Sequence, residues 1–383
     1  MKELNLKKYL FLLLLVNSSF INCSFQISLF NQLNKRNKGK NLTISPLSLF
    51  QAISLVTNGA NGDTQTELLK LLDDKGMEEI NEINFKILSE LKEITTLEMG
   101  NAIMTKLSPL YKFSKFVTDK YNAEIQPLKN VNQVNKWCDN KTHGKIKEII
   151  DKLDGNIFMI ILNVVYFKGI WLKKFSDKLT SKQLFYNYNL ESYKKEVDTM
   201  EISSYYFYFQ DANLQAIQFD YEKNSMSALI ILPKKELDIN EFINIFNDDN
   251  DYLYTIINNS KNCKVNVQMP KFEITFKENL KQILKEMGVN LAFDKNADFT
   301  NIRSQNDLLI DEIIHKTYLK VDEGGTEAAA VTAIKMGLKM SMAPREEITY
   351  YMIINRPFLF IIRNKNFPKN NDIIFISKIE EIN

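Results

Sequence analysis

Apolar residues recur at helical spacing in residues 25–33, 47–56 and 279–287, and each stretch predicts a helix with one buried face. Strand-like runs dominate later in the chain, at 158–167, 228–232, 265–269, 308–314, 358–362 and 373–376. Several of these are apolar at consecutive positions, which marks strands covered on both faces. Helices grouped early and strands grouped late predict an α+β fold with a large mixed sheet. No repeat, Pro-rich linker or low-complexity block divides residues 24–383, so one domain is expected over that span.

The N-terminus breaks this pattern. A basic start over residues 1–8 leads into an apolar run over 9–16, which stops at Asn17-Ser18-Ser19. A membrane span needs roughly 20 apolar residues, so 1–23 is expected to be a secretory signal peptide, cut after Ser18 or Cys23. Its removal takes away three lysines and one glutamate, and the formal charge of +2 falls to about zero. A near-neutral chain is not drawn to nucleic acid. The lysine-rich stretches 35–40 and 141–147 are interleaved with polar residues and read as solvated faces, not as a strong heparin-type site. Of three cysteines, Cys23 leaves with the signal, and Cys138 and Cys263 are expected as unpaired, half-buried thiols. Sequons stand at Asn41, Asn140 and Asn258.

Chemistry is scarce. The chain has two histidines, His143 and His315, and lacks HExxH, a CxxC pair, GxSxG and a P-loop. These are the usual devices for binding metal, activating a nucleophile or cradling phosphate. No metal or cofactor is therefore expected, and an enzyme is disfavoured. His315 follows an apolar run and reads as a core histidine satisfied by hydroxyls or amides. Trp137 and Trp171 read as core anchors.

One segment stands apart: Gly324-Gly325-Thr326-Glu327-Ala328-Ala329-Ala330-Val331-Thr332-Ala333-Ile334-Lys335-Met336-Gly337-Leu338-Lys339, followed by 340–344 ending in Pro344. Its even positions are Thr326, Ala328, Ala330, Thr332, Ile334, Met336 and Leu338, while every charge falls on an odd one. This is the pattern of a strand with one buried face, and its small residues could enter between existing strands. A short helix capped by Thr326 and a flexible surface loop are the other readings.

Glu323-Gly324-Gly325-Thr326-Glu327-Ala328-Ala329-Ala330 resembles the hinge of the serpin family. Further family-like motifs occur in order: Asn41-Leu42-Thr43-Ile44-Ser45-Pro46-Leu47-Ser48, Asn58-Gly59-Ala60-Asn61-Gly62-Asp63-Thr64, residues 135–146, 162–171, Met269-Pro270-Lys271-Phe272, 309–316 and Arg356-Pro357-Phe358-Leu359-Phe360. The resemblance spans about 25–380. It implies three β-sheets, eight or nine helices and an exposed reactive-centre loop over about 324–350, outside a five-stranded central sheet. It also implies a suicide mechanism, in which a protease attacks the loop, forms an acyl-enzyme and is trapped as the cut loop enters the sheet. Serpin loop insertion is itself a known example of such a switch. The hinge would comprise Gly325, Thr326, Glu327, Ala328, Ala329, Ala330, Val331 and Thr332. Ser45, Ser48, Asn163 and His315 match the family's shutter, and Trp171 its breach. Counting from Thr326 puts the bait bond at Lys339-Met340, suited to a trypsin-like serine protease, with Leu338 and Arg345 as alternatives and a cysteine protease as another target class. The expected molecule is a secreted monomer whose partner is a protease, with no nucleic-acid or membrane partner. The alternative is a non-inhibitory carrier, chaperone or storage protein of the same fold.

Overall fold

The computed structural model describes residues 24–73, 75–91, 97–222, 225–248, 251–326 and 348–383. The expected signal peptide, the hinge from Glu327 through Ala328, Ala329, Ala330, Val331 and Thr332, and the bait candidates Leu338, Lys339, Met340 and Arg345 lie outside the described residues.

Strands are numbered along the chain: β1 (Leu42–Ile44), β2 (Leu97–Thr105), β3 (Glu124–Pro127), β4 (Met159–Phe167), β5 (Gly169–Ile170), β6 (Ser181–Tyr186), β7 (Lys194–Gln210) and β8 (Leu214–Asp220). They continue with β9 (Met226–Pro233), β10 (Lys261–Pro270), β11 (Phe272–Asn279), β12 (Glu312–Asp322), β13 (Gly325–Thr326), β14 (Thr349–Ile353), β15 (Phe358–Asn364) and β16 (Ile373–Ile379). Nine α-helices accompany them among the described residues, six of them before Thr142. Hydrogen bonding joins the strands into two networks. One runs β1-β16-β15-β9-β8-β7-β10-β14 with β6 on β7, and the other runs β3-β2-β4-β12-β13-β5 with β11 on β12. The expected third sheet is fused to its neighbour by β7, which pairs with β6 over Lys194–Thr199, with β10 over Thr199–Tyr208 and with β8 over Phe207–Gln210.

The helix Pro46–Gly59 explains how the second network is held. It is buried on every face except at Asn58, its small polar residues Ser48, Ser54 and Thr57 included. Pro46 sits at its first turn, where a missing N–H costs nothing, and the Ser45 hydroxyl accepts from the Ser48 N–H at 3.4 Å. This helix backs one face of β4, where Met159, Ile161, Val165 and Phe167 point into the main core. The opposite face of β4, with Ile160, Leu162, Val164 and Tyr166, packs under Val134, Trp137 and Cys138 of the helix Val131–Lys141. Covering on both sides is why β4 reads as an apolar run broken only at Asn163.

Three local expectations need correction. The run 308–314 was expected as a strand, but pairing starts only at Glu312. The Asp311 carboxylate accepts from the N–H groups of Phe158 (2.7 Å) and Met159 (2.9 Å), so a side chain terminates the sheet there. The helix expected over 279–287 spans Lys281–Glu286, because Asn279 closes β11. Cys138 is fully buried on the inner face of its helix, whereas Cys263 is partly exposed; neither is in a disulfide.

Candidate functional site

The site lies where β12 and β4 meet. Along most of their length these strands pair directly and in parallel, from Glu312 opposite Ile160 to Tyr318 opposite Tyr166. Carried two to three residues further, the same register would set Val321 opposite Gly169. Instead β13 stands between them: Thr326 pairs antiparallel with Val321 on one side and with Gly169 on the other. The sheet is thus already parted at one end by Gly325 and Thr326.

Glycines make this possible. A Cβ on Gly325, whose φ is +149°, would lie 2.0 Å from the Gly169 carbonyl oxygen, and one on Gly169 would lie 2.6 Å from the Tyr221 ring. Thr326 is fully buried, and its hydroxyl and that of Tyr221 are hydrogen-bonded at 2.7 Å. Burial pushes the Tyr221 phenol well above its usual pKa, so it stays a neutral hydroxyl. Trp171 stacks on Tyr221 at 4.6 Å, donates its indole N–H to the Asp322 carbonyl, and uses its backbone N–H for the Gly324 carbonyl. Glu323 completes the anchor, with Lys271 at 3.0 Å and the Thr180 hydroxyl donating at 2.7 Å. Burial would raise the Glu323 pKa, but the Thr180 and Lys271 contacts outweigh it and the net shift is downward, so the carboxylate stays charged.

Six residues from Val321 along β12, at His315, a buried polar cluster crosses the same seam. His315 on β12 donates from Nδ1 to the Asn163 Oδ1 on β4 at 2.5 Å, and its Nε2 accepts from the Ser45 N–H at 3.1 Å. Accepting from a backbone N–H requires a neutral ring. Burial enforces this by holding the His315 pKa at about 3. Asn163 donates to the Ser48 hydroxyl (2.5 Å), the Ser48 carbonyl (3.2 Å) and the Asn101 Oδ1 (2.6 Å). Thr317 donates to the Thr43 carbonyl at 2.9 Å. The cluster therefore ties β4, β12 and the helix Pro46–Gly59 together without any charge. Nothing in it resembles a nucleophile paired with a base.

The structure brings Ser45, Ser48, Asn163 and His315 into one network and places Gly325, Thr326 and Trp171 in another. Sequence reasoning did not single out Tyr221 or Asn101, and it placed Gly169, Lys271 and Glu323 only within family-like motifs without their contacts. For Asn101 a signal existed, an amide inside a run of largely apolar residues that form β2. Of the sequons, Asn140 and Asn258 are exposed. The Asn41 side chain clasps the C-terminus instead, donating to the Glu381 carbonyl and accepting from the N–H groups of Glu380 and Glu381. A glycan at Asn41 would have to break that clasp. His143 is exposed and contacts Glu98 at 2.7 Å. Among the described residues there is no cluster of His, Cys, Asp and Glu able to hold a metal, and no helix is long and apolar enough to cross a membrane.

Residues 21–382 match the family model described as serpin (serine protease inhibitor). The chain is 30% identical to intracellular coagulation inhibitor 2 of Tachypleus tridentatus, over 90% of this chain and 87% of that protein. The thermophilic serpin tengpin in its native state superposes with a TM-score of 0.83 at 28% identity, covering 96% of this chain and 95% of that one. Human thyroxine-binding globulin complexed with thyroxine also superposes at 0.83, with 26% identity and coverage of 94% of this chain and 97% of that one. With a family model matched over almost its whole length and a fold shared with solved serpins, this chain belongs to the serpin family of protease inhibitors.

Proposed function

We propose that this chain is a secreted suicide inhibitor of a trypsin-like serine protease, acting through insertion of the cut segment that begins at Thr326. The observation that carries this reading is the matched register at the seam. Thr326 pairs with Val321 and Gly169, which the β4–β12 pairing places level with each other. A strand continuing from Thr326 would put Ala328 between Leu319 and Phe167, Ala330 between Thr317 and Val165, and Thr332 between His315 and Asn163. Neither flanking strand would have to slide against its neighbour. Insertion would replace one parallel ladder by two antiparallel ones, which are slightly more stable per residue.

The buried Thr326 side chain also fixes parity. Even positions face the main core and odd positions face the helix Val131–Lys141, so Ala329, Val331 and Ala333 would be covered as well. This amends the expectation of a strand with a single buried face: both faces need small residues, and this segment supplies them. No proline or inward charge obstructs entry up to Leu338, which favours an inhibitor over a carrier. The inserted stretch from Thr326 to Met336, opposite Met159, would draw a protease held at Lys339 roughly 35 Å along the sheet. The energy would come from a fold trapped behind a barrier above a more stable one.

Lys339-Met340 is the proposed bait bond, since lysine fits a pocket with a buried carboxylate. Secretion rests on the basic and apolar pattern of residues 1–23, and glycans are proposed at Asn140 and Asn258. Mixing the protein with trypsin is expected to give a covalent complex that survives boiling in detergent, with a released peptide beginning at Met340. Clean cleavage without a complex would reject inhibition.

A further inference from the structure

The end of the seam farthest from Thr326 carries a tie of its own. Asp311 lies just before β12, and one oxygen of its carboxylate, Oδ2, accepts from the N–H groups of both Phe158 and Met159 at the start of β4. The Asp311 N–H returns a bond to the Met159 carbonyl at 3.0 Å. All three bonds cross from one strand to the other, so this side chain does more than end β12: it fastens β12 to β4. Both partners are anchored on their far sides. Met159 pairs with Thr105 of β2, and the Phe158 carbonyl accepts from the Lys106 N–H at 2.8 Å. Behind Asp311, the Ile310 N–H bonds to the Ala292 carbonyl at 2.9 Å. Hydrogen bonds to an ionised acceptor are roughly twice as strong as neutral ones, so this tie is stronger per bond than the neutral ladder and the neutral His315–Asn163 cluster four residues along, about 13 Å away.

We propose that Asp311 is a positioning residue that holds the far end of the seam shut and thereby sets how long the uncut protein keeps its resting form. This rests on the insertion reading above and adds to it a reason why a sheet already parted at Gly325 and Thr326 does not open along its whole length. Val321 and Gly169, which flank Thr326, each stand ten residues from Asp311 and Met159, so parting that begins at the one pair reaches the other in step. A strand lying between β4 and β12 at that level would separate them by two spacings of roughly 4.8 Å each. The bonds from Phe158 and Met159, at 2.7 and 2.9 Å, cannot span that gap. Parting that starts beside Thr326 meets the His315–Asn163 bond first, and the Asp311 tie is the last to break.

The test follows the uncut protein over time at a fixed temperature below its melting point. Samples are assayed for the capacity to trap trypsin, and size-exclusion chromatography follows the monomer. Asp311→Ala is expected to hasten the loss of trapping capacity by about tenfold, leaving a monomer that melts higher than the starting material. Asp311→Asn keeps an oxygen acceptor without the charge and should fall between the variant and the wild type. Protein nicked in the bait loop separates this role from a simple cap. The tie is already open there, so Asp311→Ala should lower the guanidinium midpoint of the intact protein and leave that of the nicked protein unchanged. An unaltered rate of loss, loss through aggregation alone, or equal falls in the two midpoints would overturn the tie while leaving insertion standing. A wild type whose midpoint does not rise on nicking would overturn insertion itself, and the tie with it.

Discussion

Replacing Asn163 by alanine tests the seam at its most connected point. The substitution removes the acceptor for His315 Nδ1–H and the donor to Asn101 Oδ1 and to both oxygens of Ser48. All of these groups lie in buried surroundings. A buried polar group left unpaired costs roughly 1–3 kcal/mol. With three sets of partners affected, and one of them open to rescue by a water in the vacated volume, the intact protein is expected to lose about 3–5 kcal/mol. The nicked protein should lose less. There an inserted strand would separate β4 from β12 by two spacings of roughly 4.8 Å each, too far for a direct His315–Asn163 bond. Only the contacts on the β4 side would remain to be lost. Guanidinium titrations of intact and nicked protein, wild type and variant, give the four stabilities required. Equal losses in the two forms would refute the reasoning, because they would mean that the His315–Asn163 bond survives nicking and the strands never part.

Two further outcomes follow from the same geometry. Thr326→Arg is expected to expel β13 from the seam already in the intact protein, since Thr326 is buried there and its place beside Tyr221 leaves no room for a guanidinium, lowering the stability of the intact fold and converting inhibitor to substrate; a gel showing an undiminished covalent complex with trypsin would contradict this. His315 has a folded pKa of about 3 against an ordinary value of 6.5. Between those values the unfolded chain binds a proton that the folded one does not, so stability falls as pH drops through this window, by up to about 1.4 kcal/mol per pH unit. His315→Gln should flatten that part of the pH–stability curve, and an unchanged slope would rule His315 out as its source.

The division between what could and could not be read from the sequence has physical causes. The strand β4 was legible because both its faces are buried and nine consecutive positions therefore cannot be polar without a partner. His315 was legible as a core histidine for the same reason: a polar ring within an apolar run must find partners, here Asn163 and the Ser45 N–H. The start of β12 was not, because Leu308 and Ile310 are as buried as strand residues yet unpaired, and burial rather than pairing sets an apolar pattern. The long strand β7 escaped notice because its exposed face carries Tyr205 and Phe207, which blur the alternation of apolar and polar positions. The contacts of Tyr221 with Thr326 and of Lys271 with Glu323 join residues 105 and 52 positions apart, and no local signal encodes such distances. Parity was visible in the sequence, which set the even positions inward, and the burial of Thr326 agrees with it at the one such position described.

The most direct test compares melting of the intact protein with that of the same protein cut once between Leu338 and Met340, followed by circular dichroism. If the freed segment becomes an interior strand, the cut molecule melts higher by on the order of 10 °C or more. A cut molecule that melts at or below the temperature of the uncut one would contradict the account at its base.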